Sequence, residues 1–163
     1  AKIAIRASIT GHLVLSTIHT NDAVSTITRL VDMGVEPYLV SSSILGIISQ
    51  RLVRVLCSRC KTICKATSEE QQLLNMPEEE LLLHYPVGCN ICNNTGYRGR
   101  RGVHEVVKID KKMREAISKG FSYDQLTDLA KKSGMVPLIQ NAKELVLKGI
   151  TTIDEVLNIS FFD

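Results

Sequence analysis

Cys57-Ser58-Arg59-Cys60 and Cys89-Asn90-Ile91-Cys92 bracket the stretch on which the reading of this chain turns. A C-x-x-C pair sets two sulfurs on one tight knuckle, and two knuckles supply four thiolates to a tetrahedral ion. Zinc is the usual occupant, because soft ligands fill its shell and leave no position open for chemistry. Residues 61–88 make a longer gap than the common spacing of about 15–20 residues, so the insert is expected to form a small structure of its own. Redox pairs or disulfides are the competing readings. Two C-x-x-C pairs in so short a chain favour a structural Zn²⁺ site on Cys57, Cys60, Cys89 and Cys92. Cys64 is the odd cysteine and reads as a small, reduced strand residue.

The composition bounds the rest. The chain has 163 residues, 44% hydrophobic and 23% charged, enough for one domain or a core with an appendage. A formal net charge of +3 is no nucleic-acid signature, and no apolar run reaches the length of a membrane span. A metal pattern with no signal peptide fits a reducing cytoplasm. The chain opens at Ala1-Lys2 inside an apolar-periodic pattern without an initiator Met, which reads as a piece of something longer.

Residues 2–9 read as a helix with Ile3, Ala4 and Ala7 inward, stopped by Gly11. His12–Ile18 is a nearly continuous apolar run, the pattern of a strand buried on both faces of a parallel sheet. Asn21 or Asp22 then caps a helix carrying Val24, Ile27, Leu30 and Val31 on one face and ending at Gly34. Pro37 opens a helix over 37–50 that is apolar on most sides, and 51–56 reads as a strand. Within the insert, 62–66 reads as a strand, and Ser68 with Gln71 as a capping box for a short helix. A second helix is expected from Pro77 through Glu78–Glu80 to Leu81–Leu83. Residues 100–109 read as a strand. Asp110, Ser122, Pro137 and Thr152 with Glu155 open four helices in the remainder.

Two clusters invite chemistry. Ser16, Thr17, His19, Thr20 and Asn21 stand at the carboxyl end of the first apolar run, where open parallel sheets bind ligands. A histidine there can donate to a phosphate, with Thr17 and Asn21 bonding the same group. A capped turn with a satisfied histidine explains the same residues, and spacing leaves both open. Tyr97-Arg98-Gly99-Arg100-Arg101 places basic residues beside the second knuckle. With 4% aromatic residues and no Trp, solvated arginines on a hairpin explain it better than nucleic-acid binding.

The stretch 10–23, TGHLVLSTIHTNDA, resembles the histidine box of the secretion ATPase superfamily, the hexameric motors of type II secretion and type IV pilus assembly. The resemblance continues through Ser49–Arg54 into the first cysteine pair, resumes over Gly88–Cys92 and Thr95–Arg100, and ends in Gly149–Val156. The cysteine pairs resemble the assembly and secretion branch.

What the resemblance implies is an α/β fold. A partial RecA-like P-loop ATPase core, made of its late strands and helices, fills residues 1–56. A tetracysteine zinc subdomain takes 57–105, and a helical carboxyl-terminal subdomain 106–163. His19 matches the second histidine of the box, expected near the γ-phosphate; His12 matches the first and is the weaker catalytic candidate. Thr17, Asn21 and Arg51 become candidates for the nucleotide site or a subunit interface. The parent is expected to be a cytoplasmic homo-hexamer, without a transmembrane segment and without direct nucleic-acid binding. It would dock on an inner-membrane platform protein and couple ATP hydrolysis to pseudopilin or pilin movement.

No Gly-Lys pair occurs anywhere in the chain, so the G-x-x-x-x-G-K-[ST] phosphate cradle is absent from it, and the Walker B segment is expected to stand before Ala1. ATP and Mg²⁺ therefore belong to the full-length parent, an ATPase, and the fragment alone is expected not to hydrolyse ATP. The competing class is a stand-alone zinc-binding interaction module, or a nucleic-acid-binding one; neither explains the histidine box.

Overall fold

Three consecutive serines decide where the first half of the chain changes from helix to strand. In the computed structural model, which describes residues 1–77 and 80–160, helix α3 is Pro37–Ser43 and strand β1 is Gly46–Leu56. The hydroxyls of Ser41 and Ser43 donate back to the carbonyls of Tyr38 and Leu39, at 2.9 and 2.6 Å. Such back-bonding competes with helix propagation, and the β-branched Ile44, Ile47 and Ile48 favour strand thereafter. The expected helix over 37–50 is thus cut short, and the strand expected at 51–56 begins at Gly46, on residues read as helical.

The chain forms two compact units, each discontinuous in sequence. Unit 1 comprises residues 1–49 and 104–137. Its helices are α1 (Lys2–Ile9), α2 (Ser25–Asp32), α3, α5 (Lys111–Ser118) and α6 (Tyr123–Lys132). Ile5, Val24, Ile27, Val40, Val107, Met113 and Leu126 fill its core. On α1 the inward residue is Ile5; Ile3, expected inward, is 87% exposed. Asp110 accepts from the Met113 N–H and starts α5, and the Ser122–Gln125 capping box starts α6. Both begin where the sequence places them.

The run His12–Ile18 is not a strand. It is irregular and exposed, with Leu13 and Leu15 at 77% and 88%. A buried parallel strand draws ladder bonds from neighbours on both sides. Among the described residues the sheets are two pairs, β1 with β4 (Tyr97–Lys108) and β2 (Thr62–Lys65) with β3 (Leu82–Tyr85), and neither includes this run.

Unit 2 comprises residues 50–103 and 138–163, with the described part ending at 160. It holds β2, α4 (Ser68–Leu73), β3, α7 (Leu138–Leu147) and α8 (Ile153–Ser160) around Val53, Leu83, Val103, Leu138, Ala142, Val146 and Val156. β2 and β3 run antiparallel with Thr62 opposite Tyr85 and Lys65 opposite Leu82. The capping box of α4 is Thr67 with Glu70, one residue earlier than the Ser68–Gln71 reading. Of the helix expected from Pro77, Glu78 and Glu79 lie outside the described residues, Leu81 is irregular, and Leu82 and Leu83 belong to β3. There Leu83 is buried on the core face of a strand. Among the described residues no helix is long and apolar enough to cross a membrane.

Candidate functional site

The two cysteine knuckles are built alike. After β1, the N–H groups of Cys60 and Lys61 both donate to the Cys57 carbonyl, at 3.3 and 3.0 Å. Before β4, those of Cys92 and Asn94 both donate to the Cys89 carbonyl, at 3.1 and 2.9 Å, around a 3₁₀ turn over Asn90–Cys92. Asn93 and Asn94 take positive φ to complete the second turn. The knuckles are tied by a backbone bond from the Cys57 N–H to the Gly96 carbonyl, 2.9 Å.

The four sulfurs all lie within 4.8 Å of one another. Cys57 and Cys89 are 3.9 Å apart, Cys60 and Cys92 3.8 Å, and Cys89 and Cys92 3.7 Å. A disulfide needs about 2.05 Å, so none of these pairs is bridged. A tetrahedron of thiolates about 2.3 Å from a zinc ion has edges of about 3.8 Å, which these separations match. The donor set fits as well. Backbone N–H groups of Gly88, Cys89 and Gly96 point at Cys60 and Cys92, at 3.3, 3.1 and 3.3 Å, as donors to metal-bound thiolates do.

Gly96 is required there. At φ +76 its added Cβ would lie 2.4 Å from Pro86 Cβ, so nothing larger lets its N–H reach Cys92.

The same contacts polarise the thiols. Burial pushes Cys60 up to about 11 against the N–H of Gly88, with its sulfur neighbours adding to the rise. For Cys92 burial acts upward too, but the N–H groups of Cys89 and Gly96 together with the Cys89 and Cys60 thiols outweigh it and hold the thiol down at about 6. The cluster brings four sulfur donors together and matches a tetrahedral metal site. Cys64 lies outside it, exposed on β2.

The other sequence candidates are dispersed. His12, Thr17, His19 and Asn21 stand along one exposed stretch of unit 1. His12 Nδ1 is 3.2 Å from Thr10 Oγ1 and 3.3 Å from the Ala7 carbonyl, next to the end of α1. Arg51 is half-buried on β1 in unit 2. Its neighbour Arg54 is engaged by Glu155.

Sequence reasoning missed Glu105, whose carboxylate accepts from the Ala23 N–H at 2.9 Å, just after the histidine stretch. The signal was available, since in the period-2 pattern of β4 Glu105 shares a buried face with Val103 and Val107.

The family model described as "Type II/IV secretion system protein" matches residues 1–158. The chain belongs to the type II/IV secretion system protein family. Among its relatives, "Type II secretion system protein E" of Pseudomonas aeruginosa is 49% identical over 98% of this chain and 32% of its own length. "Type IV pilus assembly ATPase TfpB" of Acinetobacter baylyi is 42% identical over 98% of this chain and 28% of its own. "Type II secretion system ATPase E" of Vibrio cholerae is 42% identical over 98% and 32%. The chain thus spans at most about a third of the length of these relatives.

A solved structure of the pilus retraction motor PilT with bound ADP superposes with a TM-score of 0.62 at 22% identity, over 97% of this chain and 35% of that one. That likeness is one of fold, an α/β architecture with a helical carboxyl-terminal part. The tetracysteine cluster fits this secretion-system family member as a metal site.

Proposed function

We propose that this chain is the later part of a cytoplasmic motor ATPase that powers type II secretion or type IV pilus assembly. The observation that carries the reading is the similarity, at 42–49% identity along 98% of this chain, to relatives named as type II secretion proteins and pilus-assembly ATPases. His19 faces the nucleotide's γ-phosphate in the assembled motor, with Thr17 and Asn21 as polar neighbours. His12 and Arg51 are the weaker candidates. The exposed apolar run His12–Ile18 is then a surface that the rest of the motor covers. Cys57, Cys60, Cys89 and Cys92 hold one structural Zn²⁺, which fixes the insert and takes no part in turnover.

The parent works as a homo-hexamer beneath an inner-membrane platform protein, and the core, zinc and helical parts are read as 1–56, 57–105 and 106–163. ATP and Mg²⁺ bind upstream groups, because this chain has no Gly-Lys phosphate cradle. The test is ATP turnover in two proteins. The intact motor should hydrolyse ATP and lose most of its kcat on His19→Ala, while the 163-residue chain alone should show no turnover. A motor indifferent to His19→Ala, or a chain that hydrolyses ATP by itself, overturns the reading.

A further inference from the structure

Glu105 is a carboxylate on the core face of β4, 4% exposed, between Val103 and Val107. A hydrophobic residue suits such a position, and a buried carboxylate is tolerated only where it is bonded. One of its bonds reaches across 82 residues of sequence to the N–H of Ala23, a fully buried residue. Ala23 lies at the turn entering α2, where no cap side chain stands at Val24 and the first N–H groups have no intrahelical partner.

The same turn is held from α6, where the Tyr123 hydroxyl donates to Asp22 Oδ2 at 3.2 Å. Asp22 Oδ1 accepts from the Ser25 N–H at 2.7 Å. Thr20 completes the turn, with its hydroxyl 2.9 Å from that of Thr26 and donating to the Asp22 carbonyl at 3.1 Å. Burial, then the charge of Asp22 and, more weakly, that of Glu105 raise the Tyr123 phenol. His19 and Asn21 flank Thr20 and are exposed.

We infer that Glu105 and Tyr123 are positioning residues that clamp the turn 20–24 and so fix how His19 and Asn21 are presented. Neither touches the stretch 12–19 in any contact described above; they act through Ala23 and Asp22. The inference rests on the functional reading given above for its link to turnover, but the clamp itself does not.

Two measurements separate the two. Hydrogen exchange on the 163-residue chain reads the clamp without nucleotide. Glu105→Leu should speed exchange of the 20–27 amides by about tenfold or more, the loss expected for one buried hydrogen bond, and Tyr123→Phe, which removes an exposed one, by about threefold or more, while amides of α3 and α5 stay protected. Tyr123→Phe removes one hydroxyl from a ring that is 42% exposed, so it keeps the test valid if Glu105→Leu fails to fold. Unchanged exchange at 20–27 in the folded variants overturns the clamp, whatever His19 does.

Turnover by the intact motor reads the link to chemistry. Both variants should lower kcat about tenfold with KM for ATP little changed, Glu105→Gln should recover most of it by keeping a carbonyl acceptor, and His19→Ala should add little on top. Loss that Glu105→Gln does not rescue, or that multiplies fully with His19→Ala, overturns the positioning role. A motor with full turnover after His19→Ala overturns the functional reading instead, and the exchange result stands apart from it.

Discussion

Arg54 and Glu155 form a three-point contact. The backbone N–H of Arg54 donates to Glu155 Oε2 at 2.7 Å, its Nε to Oε1 at 2.9 Å, and its Nη2 lies 2.8 Å from Oε1. The guanidinium stacks 4.0 Å from the centroid of the Tyr97 ring, and the Tyr97 hydroxyl meets Thr152 Oγ1 at 3.0 Å. Thr151 donates to the Arg54 carbonyl at 2.7 Å, so the residues entering α8 are stitched to β1 by side chains on both sides. The Glu155 side chain is 8% exposed, which makes its loss costly, whereas the Arg54 side chain is half exposed and moderates the cost.

Glu155→Ala should therefore destabilise unit 2 by about 2 kcal/mol, since it strips an acceptor from a backbone N–H as well as a charge partner. Arg54→Lys should cost less but be measurable, because an ammonium neither forks onto a carboxylate nor stacks as a plane on a ring. Urea denaturation of the two variants checks the order. Equal stability of Glu155→Ala and the parent chain would mean that the contact does not operate in solution.

Metal removal tests the cysteine cluster. One Zn²⁺ per chain is expected by elemental analysis, and Cys57→Ser with Cys89→Ser should abolish it. Because structural zinc contributes roughly 10–16 kcal/mol of apparent binding free energy, a strong chelator should cost the knuckles and the β2–β3 ribbon their exchange protection. Retention of that protection in a metal-free chain would remove zinc from the fold's stability.

How much of this was readable in advance depended on how local the determinants were. The Asp110 and Ser122 caps act within three residues, so α5 and α6 were legible to the residue. The cysteine spacing was legible because a knuckle is itself local. The His12–Ile18 run was misread because hydrophobic pattern reports what a segment wants to bury, and burial depends on neighbours that the described residues do not provide. The 44–50 stretch was misread because periodicity in a short, wholly apolar run does not separate helix from strand. Glu105 was missed: its place on the buried face of β4 follows from the strand alternation, but its bond to the turn beside His19 joins residues 82 apart and is written in no local pattern.

Asp110 provides a pH test. The Met113 N–H, followed by Ser133 and the Lys112 region, favours the ionised form, so its carboxyl titrates below the ordinary 3.8. A folded-state value depressed below the unfolded one means that the group stabilises the fold above 3.8, and that this contribution is lost as pH falls through the folded value. The carboxyl carbon of Asp110 should titrate by NMR with a midpoint under 3.8, and Asp110→Ala should be less stable than the parent at pH 7 with a gap that narrows below 3.8. A midpoint at or above 3.8 defeats the prediction.

Gly149, at the turn between α7 and α8, gives the most stringent packing test. Its φ is +64, and an added Cβ would lie 2.4 Å from His84 Nδ1 and 2.6 Å from His84 Cε1. The carbonyl of this glycine also accepts from Lys61 Nζ at 2.8 Å, so the turn has little freedom to retreat from the ring. Burial, then the charge of Lys61, lowers the His84 pKa, consistent with a neutral ring wedged against the turn. Gly149→Ala carries two separable costs, about 1–2 kcal/mol for the left-handed backbone and a further steric cost for displacing the imidazole. His84→Ala removes only the second. In a double-mutant cycle, Gly149→Ala should therefore be milder in the His84→Ala background, by about 1 kcal/mol or more, with the backbone cost remaining. Additive effects in thermal or urea unfolding would show that the ring and the turn are not in contact.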